Sequence, residues 1–214
     1  MLIFIMMLVL LSASALAAPA PTDTSPPQLH LPAGATDNVK SNPDTIPTNT
    51  ITDCGLNEAA QQLALLIIQD PLQQRTRLSC HPLLAEAAAE KAKTMAQKGI
   101  VNHYVGGLGA NQRLRMIGYQ LPPFYSGAIG NQVEAVAGGY STAEEVWAAF
   151  KASNGHRSHL LGELPFYRQQ LHIGVGFHYK WSSPHVEYWT VYIAREAVAE
   201  DIDVTCYDIG CIPP

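Results

Sequence analysis

The spacing of apolar residues predicts helices in the first part of the folded region and strands in its last third. Residues 57–70, NEAAQQLALLIIQD, repeat apolar residues at helical spacing and stop at Pro71. A second helix is predicted to begin at Pro82 and to end at Gly99. Its apolar stripe consists of Leu84, Ala88, Ala92 and Met95.

Two further helices are predicted in the middle of the chain. A short one covers residues 110–117 and is closed by Gly118, which suits a left-handed cap. The other starts with a predicted capping box, Ser141 with Glu144, and ends before a turn at Asn154-Gly155. Its buried face is predicted to carry Val146, Trp147 and Phe150.

Two segments in this region allow two interpretations each. Residues 121–130, LPPFYSGAIG, are a loop whose apolar side chains either line a binding groove or fold back on the core. Residues 131–140 contain small and β-branched residues around Glu134 and form either a short strand or an irregular turn.

The last third of the folded region predicts an antiparallel hairpin. The segments LHIGVGFHYK and HVEYWTVYIAR are rich in β-branched and aromatic residues and flank the turn WSSP. Helices therefore precede the completion of the sheet, which predicts an α+β domain with helices packed on a small antiparallel sheet.

The amino-terminal sequence predicts export. An apolar run is followed by small residues at Ala15 and Ala17, so residues 1–18 are predicted to be a signal peptide. Residues 19–53 are rich in Pro and Thr and are predicted to be a flexible tether. Residues 54–196 then form one domain, and residues 197–214 form a tail. We expect a secreted or periplasmic protein with no transmembrane anchor after signal cleavage.

Cysteine content and charge restrict the chemistry further. Four cysteines in a chain predicted to be exported favour disulfides: Cys54, Cys80, Cys206 and Cys211. Three pairings are possible, and a local bond between Cys206 and Cys211 would leave Cys54 to pair with Cys80. The formal net charge is −5 and the basic residues are scattered, which argues against nucleic acid as a partner.

One ordered series of motifs resembles a known family. His103, Arg113, Glu134, the run FKASNGHR, and then IGVGF and YWTVYIAR follow one another along the domain. This series resembles the CAP superfamily of cysteine-rich secretory, antigen 5 and pathogenesis-related 1 proteins, in its bacterial single-domain form. The resemblance implies an α-β-α sandwich whose cleft is lined by two histidines and two acidic residues.

Matched position by position, the resemblance assigns the first histidine to His103, the second to His156 and one acidic residue to Glu134. The second acidic position falls on Ser153. Ala135 also departs from the family pattern, because an asparagine usually follows the glutamate. His159 is interpreted as a surface histidine. No pattern in the sequence assigns a role to His30, His81, His172, His178 or His185.

The two histidines and the one glutamate that match the family pattern suggest two functions. Two neutral imidazoles and a carboxylate can coordinate Zn²⁺ and leave one position open, so a metal-dependent hydrolase using His103, His156 and Glu134 is one hypothesis. A Ser153–His156 pair oriented by Glu134 is a weaker catalytic alternative. Because Ser153 replaces the second acid, we favour a non-enzymatic binding module for a small apolar ligand, a lipid or a partner protein.

Overall fold

The computed structural model describes residues 50–127, 130–202, 205–207 and 210–212, with side chains considered only up to residue 201. The helices are α1 (Glu58–Ile68), α2 (Pro82–Lys98), α3 (Ala110–Met116), α4 (Ala143–Ala152), α5 (Asn154–Leu160), α6 (Pro165–Arg168) and α7 (Ala199–Ile202). Two 3₁₀ turns cover Ile51–Cys54 and Val105–Gly107. None of the helices in this described part is long and apolar enough to cross a membrane.

The strands are β1 (Ser79–Cys80), β2 (Glu134–Gly138), β3 (His172–Tyr179), β4 (Glu187–Ala194), β5 (Thr205–Tyr207) and β6 (Gly210–Ile212). Four of the six described strands form a small main sheet, which confirms the α+β prediction, and β5 and β6 form a separate two-stranded sheet. The main sheet has the order β1-β3-β4-β2. The β2–β4 and β3–β4 pairs are antiparallel, as predicted for the hairpin, whereas the two-residue β1 pairs in parallel with β3 and makes the sheet mixed.

Helices cover both faces of the sheet because side chains of β3 and β4 alternate between them. Ile173, Val175, Val191 and Ile193 point into a core shared with α1 and α4. Tyr192 and Ala194 point to the opposite face, where they pack with residues of α2 and α3. The arrangement is the helix–sheet–helix layering that the resemblance implies.

Two glycines of β3 allow α2 to lie close to the sheet. A Cβ on Gly174 would come within 2.1 Å of the Leu84 carbonyl carbon, and a Cβ on Gly176 would come equally close to Ala88. Any side chain at these positions would push the helix away. The alternation Gly-Val-Gly therefore packs valine on one face and the α2 backbone on the other.

The helix ends follow local sequence chemistry, with one correction. Gly99 adopts the left-handed conformation that ends α2, as predicted. The cap of α4 is Thr142, whose hydroxyl accepts a hydrogen bond from Glu145 N, and Glu145 in turn accepts one from Ser141 N. The predicted box of Ser141 and Glu144 is thus wrong by one residue, because both cap partners are shifted together.

The amino-terminal end of the domain is joined covalently to the sheet. Cys54 and Cys80 form a disulfide, as the local pairing hypothesis required. In the tail, the backbone register of β5 and β6 places Cys206 opposite Cys211. Bonding between these two stays a prediction, since their side chains lie outside the described part. Residues 1–49, including the predicted signal and most of the tether, also lie outside it.

The loop after α3 follows the second interpretation offered for residues 121–130, in which it folds back on the core. Leu121 and Tyr125 are buried in the core beside α2 and α3. Phe124 is 47% exposed. The loop therefore folds back on the core through two side chains and leaves one aromatic ring at the surface. Residues 128 and 129 of this segment lie outside the described ranges.

Candidate functional site

The four residues singled out by the resemblance line one cavity of about 210 Å³: His103, Glu134, Ser153 and His156. His103 follows the end of α2, and Glu134 is the first residue of β2. Residues 131–140 therefore do contain a strand, and that strand starts where the glutamate enters the cavity. The other two residues come from the junction between α4 and α5.

This junction is built around Ser153. Ser153 is at once the residue that ends α4 and the residue that precedes α5, with an extended backbone (φ −92°, ψ 117°). The predicted turn at Asn154-Gly155 is wrong, since both residues already belong to the first turn of α5. The change of direction at Ser153 places His156 one helical turn further on, where its ring packs edge-on against Phe150 at 5.0 Å.

Glu134 is the centre of the polar network. Its side chain is fully buried, and its Oε1 lies 2.8 Å from His103 Nδ1. Its Oε2 accepts a 2.6 Å hydrogen bond from the Tyr192 hydroxyl and lies 3.5 Å from Lys91 Nζ. Both carboxylate oxygens are therefore engaged by groups of the protein itself.

Asn131 fixes the geometry of this glutamate. Its side-chain oxygen accepts from Glu134 N at 2.9 Å, and its amide donates to the Glu134 carbonyl oxygen at 3.1 Å. The same amide nitrogen lies 3.0 Å from His103 Nδ1. We assign the Nδ1 proton to the bond with Glu134, because a buried carboxylate gains most from an additional donor. Glu134 and Asn131 both approach Nδ1, so neither of them contacts the other ring nitrogen of His103.

Lys91 was missed by sequence reasoning, although a signal was present. It stands three residues after Ala88 and four before Met95, and therefore on the apolar stripe of α2. Its side chain is fully buried, and its ammonium donates to the His103 carbonyl oxygen at 2.7 Å. A lysine on a buried helix face predicts a buried acidic partner, which here is Glu134.

Burial and neighbouring charges shift the pKa values of three side chains around the cavity. Burial lowers the pKa of Lys91, and the neighbouring Glu134 partly offsets this effect. Burial and the same glutamate raise the pKa of Tyr192, which therefore remains a donor. Burial and the nearby His103 lower the pKa of His156, so its imidazole is neutral at physiological pH.

His159 lies at the base of the same cavity and contradicts our interpretation of it as a surface residue. It is 5% exposed, and its Nε2 lies 3.3 Å from the Ile193 carbonyl oxygen. Burial, together with the charge of Arg75, lowers the pKa of His159 to about 3. The spacing of three from His156 did place both rings toward one cavity, but only the structure shows that the sheet covers this side of α5.

A second, more apolar cavity of about 380 Å³ adjoins the first. Ser153 and His156 line both cavities. The second is otherwise bounded mainly by apolar and aromatic groups from α4, β2 and the adjoining loops, namely Val101, Val136, Ala137, Gly138, Tyr140, Ala149, Phe150 and His185. We refer to the two adjoining cavities together as the cleft, which has a polar end and an apolar end.

A different group of residues has the spacing of a metal site. The ligand atoms of His81, His172 and Glu196 all lie within 4.8 Å of one another. This is the one such group of three found within the described residues, and His103, Glu134 and His156 do not form another. Sequence reasoning missed it because its members come from three distant segments with no local motif.

Comparison with known proteins supports the fold alone. No family model matches the chain, and no curated protein matches it. Among solved structures, the chain is similar to an outer surface protein from Borrelia burgdorferi, with a TM-score of 0.50 and 15% sequence identity. The match covers 66% of this chain and 97% of that one. At this identity the similarity is one of architecture.

Proposed function

We propose that this chain is an exported CAP-superfamily binding protein that holds a small amphipathic ligand, such as a lipid, in the cleft between α4, α5 and β2. The observation that carries this proposal is the junction of the two cavities at Ser153 and His156. A polar cavity that shares lining residues with an apolar one suits a molecule with a polar head and an apolar body.

The polar end supplies hydrogen-bonding groups beside the buried Glu134 carboxylate. Burial lowers the pKa of His156, so its imidazole is neutral at physiological pH, and one ring nitrogen of His103 is not bonded to Glu134. The Ser153 hydroxyl both donates and accepts. These groups suit a hydroxyl, ester or carboxylic acid head group.

The apolar end supplies the contact area. Phe150 and Val136 are core residues with one side toward the cavity, and Ala149 leaves space beside them. Burying a short alkyl segment here would contribute about 0.8 kcal/mol for each methylene group. The ligand would then be held chiefly by its apolar part and oriented by its head group.

An extracytoplasmic location fits this role. The Cys54–Cys80 disulfide is typical of oxidising compartments, and the first 18 residues resemble a signal peptide. The name of the structural neighbour places that protein on an outer surface. A partner protein that covers the same cleft is the other occupant foreseen from the sequence.

The alternative, a Zn²⁺-dependent hydrolase using His103, His156 and Glu134, receives less support. Glu134 already binds His103, Tyr192 and Lys91 and would have to exchange these partners for a metal. A hydrolase would lose turnover but keep its fold in His156→Ala. We therefore place the hydrolase second.

The test is ligand extraction followed by binding. The purified protein is extracted with organic solvent and analysed by mass spectrometry, and the stripped protein is titrated with a fluorescent fatty acid. Ala149→Trp fills the apolar cavity and should weaken binding at least tenfold. Ala148→Trp is the matched control, because Ala148 is the exposed neighbour on the same helix.

Equal affinity in the two tryptophan variants would contradict the proposal, since it would place the probe outside the cleft. Failure of the stripped protein to bind fatty acid, lysophospholipid or sterol probes would also contradict it. Ester hydrolysis abolished by His156→Ala would favour the alternative instead.

A further inference from the structure

The second histidine group lies where three chain segments meet at one end of the sheet. His81 immediately precedes α2, His172 is the first residue of β3, and Glu196 follows the end of β4 by two residues. Strand pairing brings them together: His172 pairs with Ala194, and its other neighbour is Ser79 on β1. The grouping is therefore a consequence of the sheet register.

The His81 side chain lacks hydrogen bonds in this arrangement. Its Nε2 lies 3.7 Å from Glu196 Oε1, beyond a normal hydrogen bond. Its Nδ1 is buried and has no partner among the described residues. Because Nε2 makes no normal hydrogen bond, it is the nitrogen that is open to an added ligand beside Glu196.

The distances are close to those of a coordinated metal. Two ligand atoms at the usual Zn–N and Zn–O lengths in a tetrahedral site lie roughly 3.3 Å apart. His81 Nε2 and Glu196 Oε1 are 3.7 Å apart, and all three ligand atoms lie within 4.8 Å of one another. Rotation of the side chains would bring these distances to the value expected around the ion.

We propose that His81, His172 and Glu196 bind a Zn²⁺ ion that ties the segment after β4 to the start of α2 and to β3. Two imidazoles and one carboxylate are a ligand set that zinc accepts, with the fourth position left for water. A cavity of about 310 Å³ lined by His172 and Glu196 leaves room for that fourth ligand. This site shares no residue with the cleft and does not depend on the proposed function.

Tyr119 supports His172 in the manner typical of metal-bound histidines. Its hydroxyl lies 2.9 Å from His172 Nδ1. When Nδ1 carries the proton and donates to this oxygen, Nε2 is the nitrogen left for the ion. Tyr119 is 1% exposed, and its ring also packs edge-on against His81 at 5.0 Å. One buried tyrosine thus orients both histidines.

Positively charged side chains near the site affect the expected affinity for Zn²⁺. Arg195 adjoins Glu196, but its guanidinium is paired with Asp201 at 2.6 Å. Arg77, the other basic residue near His172, is exposed. With three ligands and these positive charges, we expect a dissociation constant on the order of 1–10 µM, weaker than that of closed structural zinc sites.

The test is calorimetric titration of the full chain with Zn²⁺ after removal of metals with EDTA. We expect one equivalent to bind, and His81→Ala and Glu196→Ala each to weaken binding at least tenfold. His178→Ala on β3 and Glu200→Ala after β4 are matched controls and should bind as the wild type does. At saturating Zn²⁺ the Tm should rise by roughly 5–10 °C in the wild type and not in Glu196→Ala.

Three outcomes would overturn the site: no binding below about 1 mM, which is too weak for a specific site; binding unchanged in His81→Ala and Glu196→Ala; or binding lost only in the double variant His103→Ala/His156→Ala. The last outcome would move the metal to the cleft. Failure of the lipid titration with this zinc result intact would reject the proposed function alone.

Discussion

The two histidine–glutamate groups differ in what surrounds the carboxylate. Glu134 is fully buried and already binds His103, Tyr192 and Lys91. The Glu196 side chain is 47% exposed, and within the described residues its carboxylate has only the 3.7 Å contact with His81. A carboxylate whose oxygens are both engaged orients its neighbours, whereas a free one can bind an added ion. We therefore expect the same two residue types, histidine and glutamate, to have different roles in the two places.

The largest contrast should appear in stability. Glu134→Ala leaves the Lys91 ammonium buried without its acidic partner, which costs about 3–5 kcal/mol of unfolding free energy. Glu196→Ala removes a half-exposed side chain and should cost less than about 1 kcal/mol without metal. Urea denaturation at pH 7 measures both. Similar losses of unfolding free energy in the two variants would contradict the contrast between the two carboxylates.

Loss of the Cys54–Cys80 disulfide should have the next largest effect. The bond joins residues 26 apart in sequence, so the double variant Cys54→Ser/Cys80→Ser should lose about 3 kcal/mol of stability. Because Cys80 precedes His81, Zn²⁺ affinity should fall while fatty acid affinity in the cleft stays the same. Calorimetry and probe titration of the folded variant compare the two sites. A larger loss in the cleft would contradict the assignment.

His159, which lines the polar cavity, should make the free energy of unfolding depend on pH. Burial, with Arg75, lowers its pKa from 6.5 in the unfolded chain to about 3 in the folded one. Between these values the unfolded state binds more protons, so stability falls as the pH falls, by up to about 2 kcal/mol from pH 7 to pH 5. His159→Gln should flatten this dependence in urea denaturation. An unchanged slope would show that other groups control it.

Ser153→Ala should have the smallest effect on stability. Ser153 precedes α5, but its hydroxyl makes no capping hydrogen bond within the described residues. The usual cost of about 1 kcal/mol for losing such a cap should therefore be absent, leaving a change within about 0.5 kcal/mol. Affinity for a fatty acid probe should fall a few-fold. A stability loss with unchanged affinity would make Ser153 a structural residue only.

Most of the fold was predictable because it follows local periodicity. The apolar spacing predicted α1, α2 and α4, and the β-branched and aromatic runs predicted the β3–β4 hairpin. The parallel β1 was not predictable, since two residues carry no periodicity. The shift of the α4 cap from Ser141 to Thr142 reflects two overlapping cap sequences of nearly equal quality.

The site was predictable only where an ordered motif existed. His103, Glu134, Ser153 and His156 were found through the resemblance and do line one cavity. His159 was placed wrongly because sequence does not say which face of a short helix the sheet covers. His81, His172 and Glu196 were missed because strand register, which the sequence does not state, brings them together.

Our central claim is that Zn²⁺ binds at His81, His172 and Glu196, whereas the lipid binds in the cleft. The most direct test is an NMR titration that observes the imidazole nitrogens of ¹⁵N-histidine-labelled protein as Zn²⁺ is added. Our account predicts that one equivalent shifts the signals of His81 and His172 and leaves those of His103 and His156 in place. A fatty acid probe should produce the opposite pattern. Zinc shifts centred on His103 and His156 would contradict the account and return the metal to the cleft.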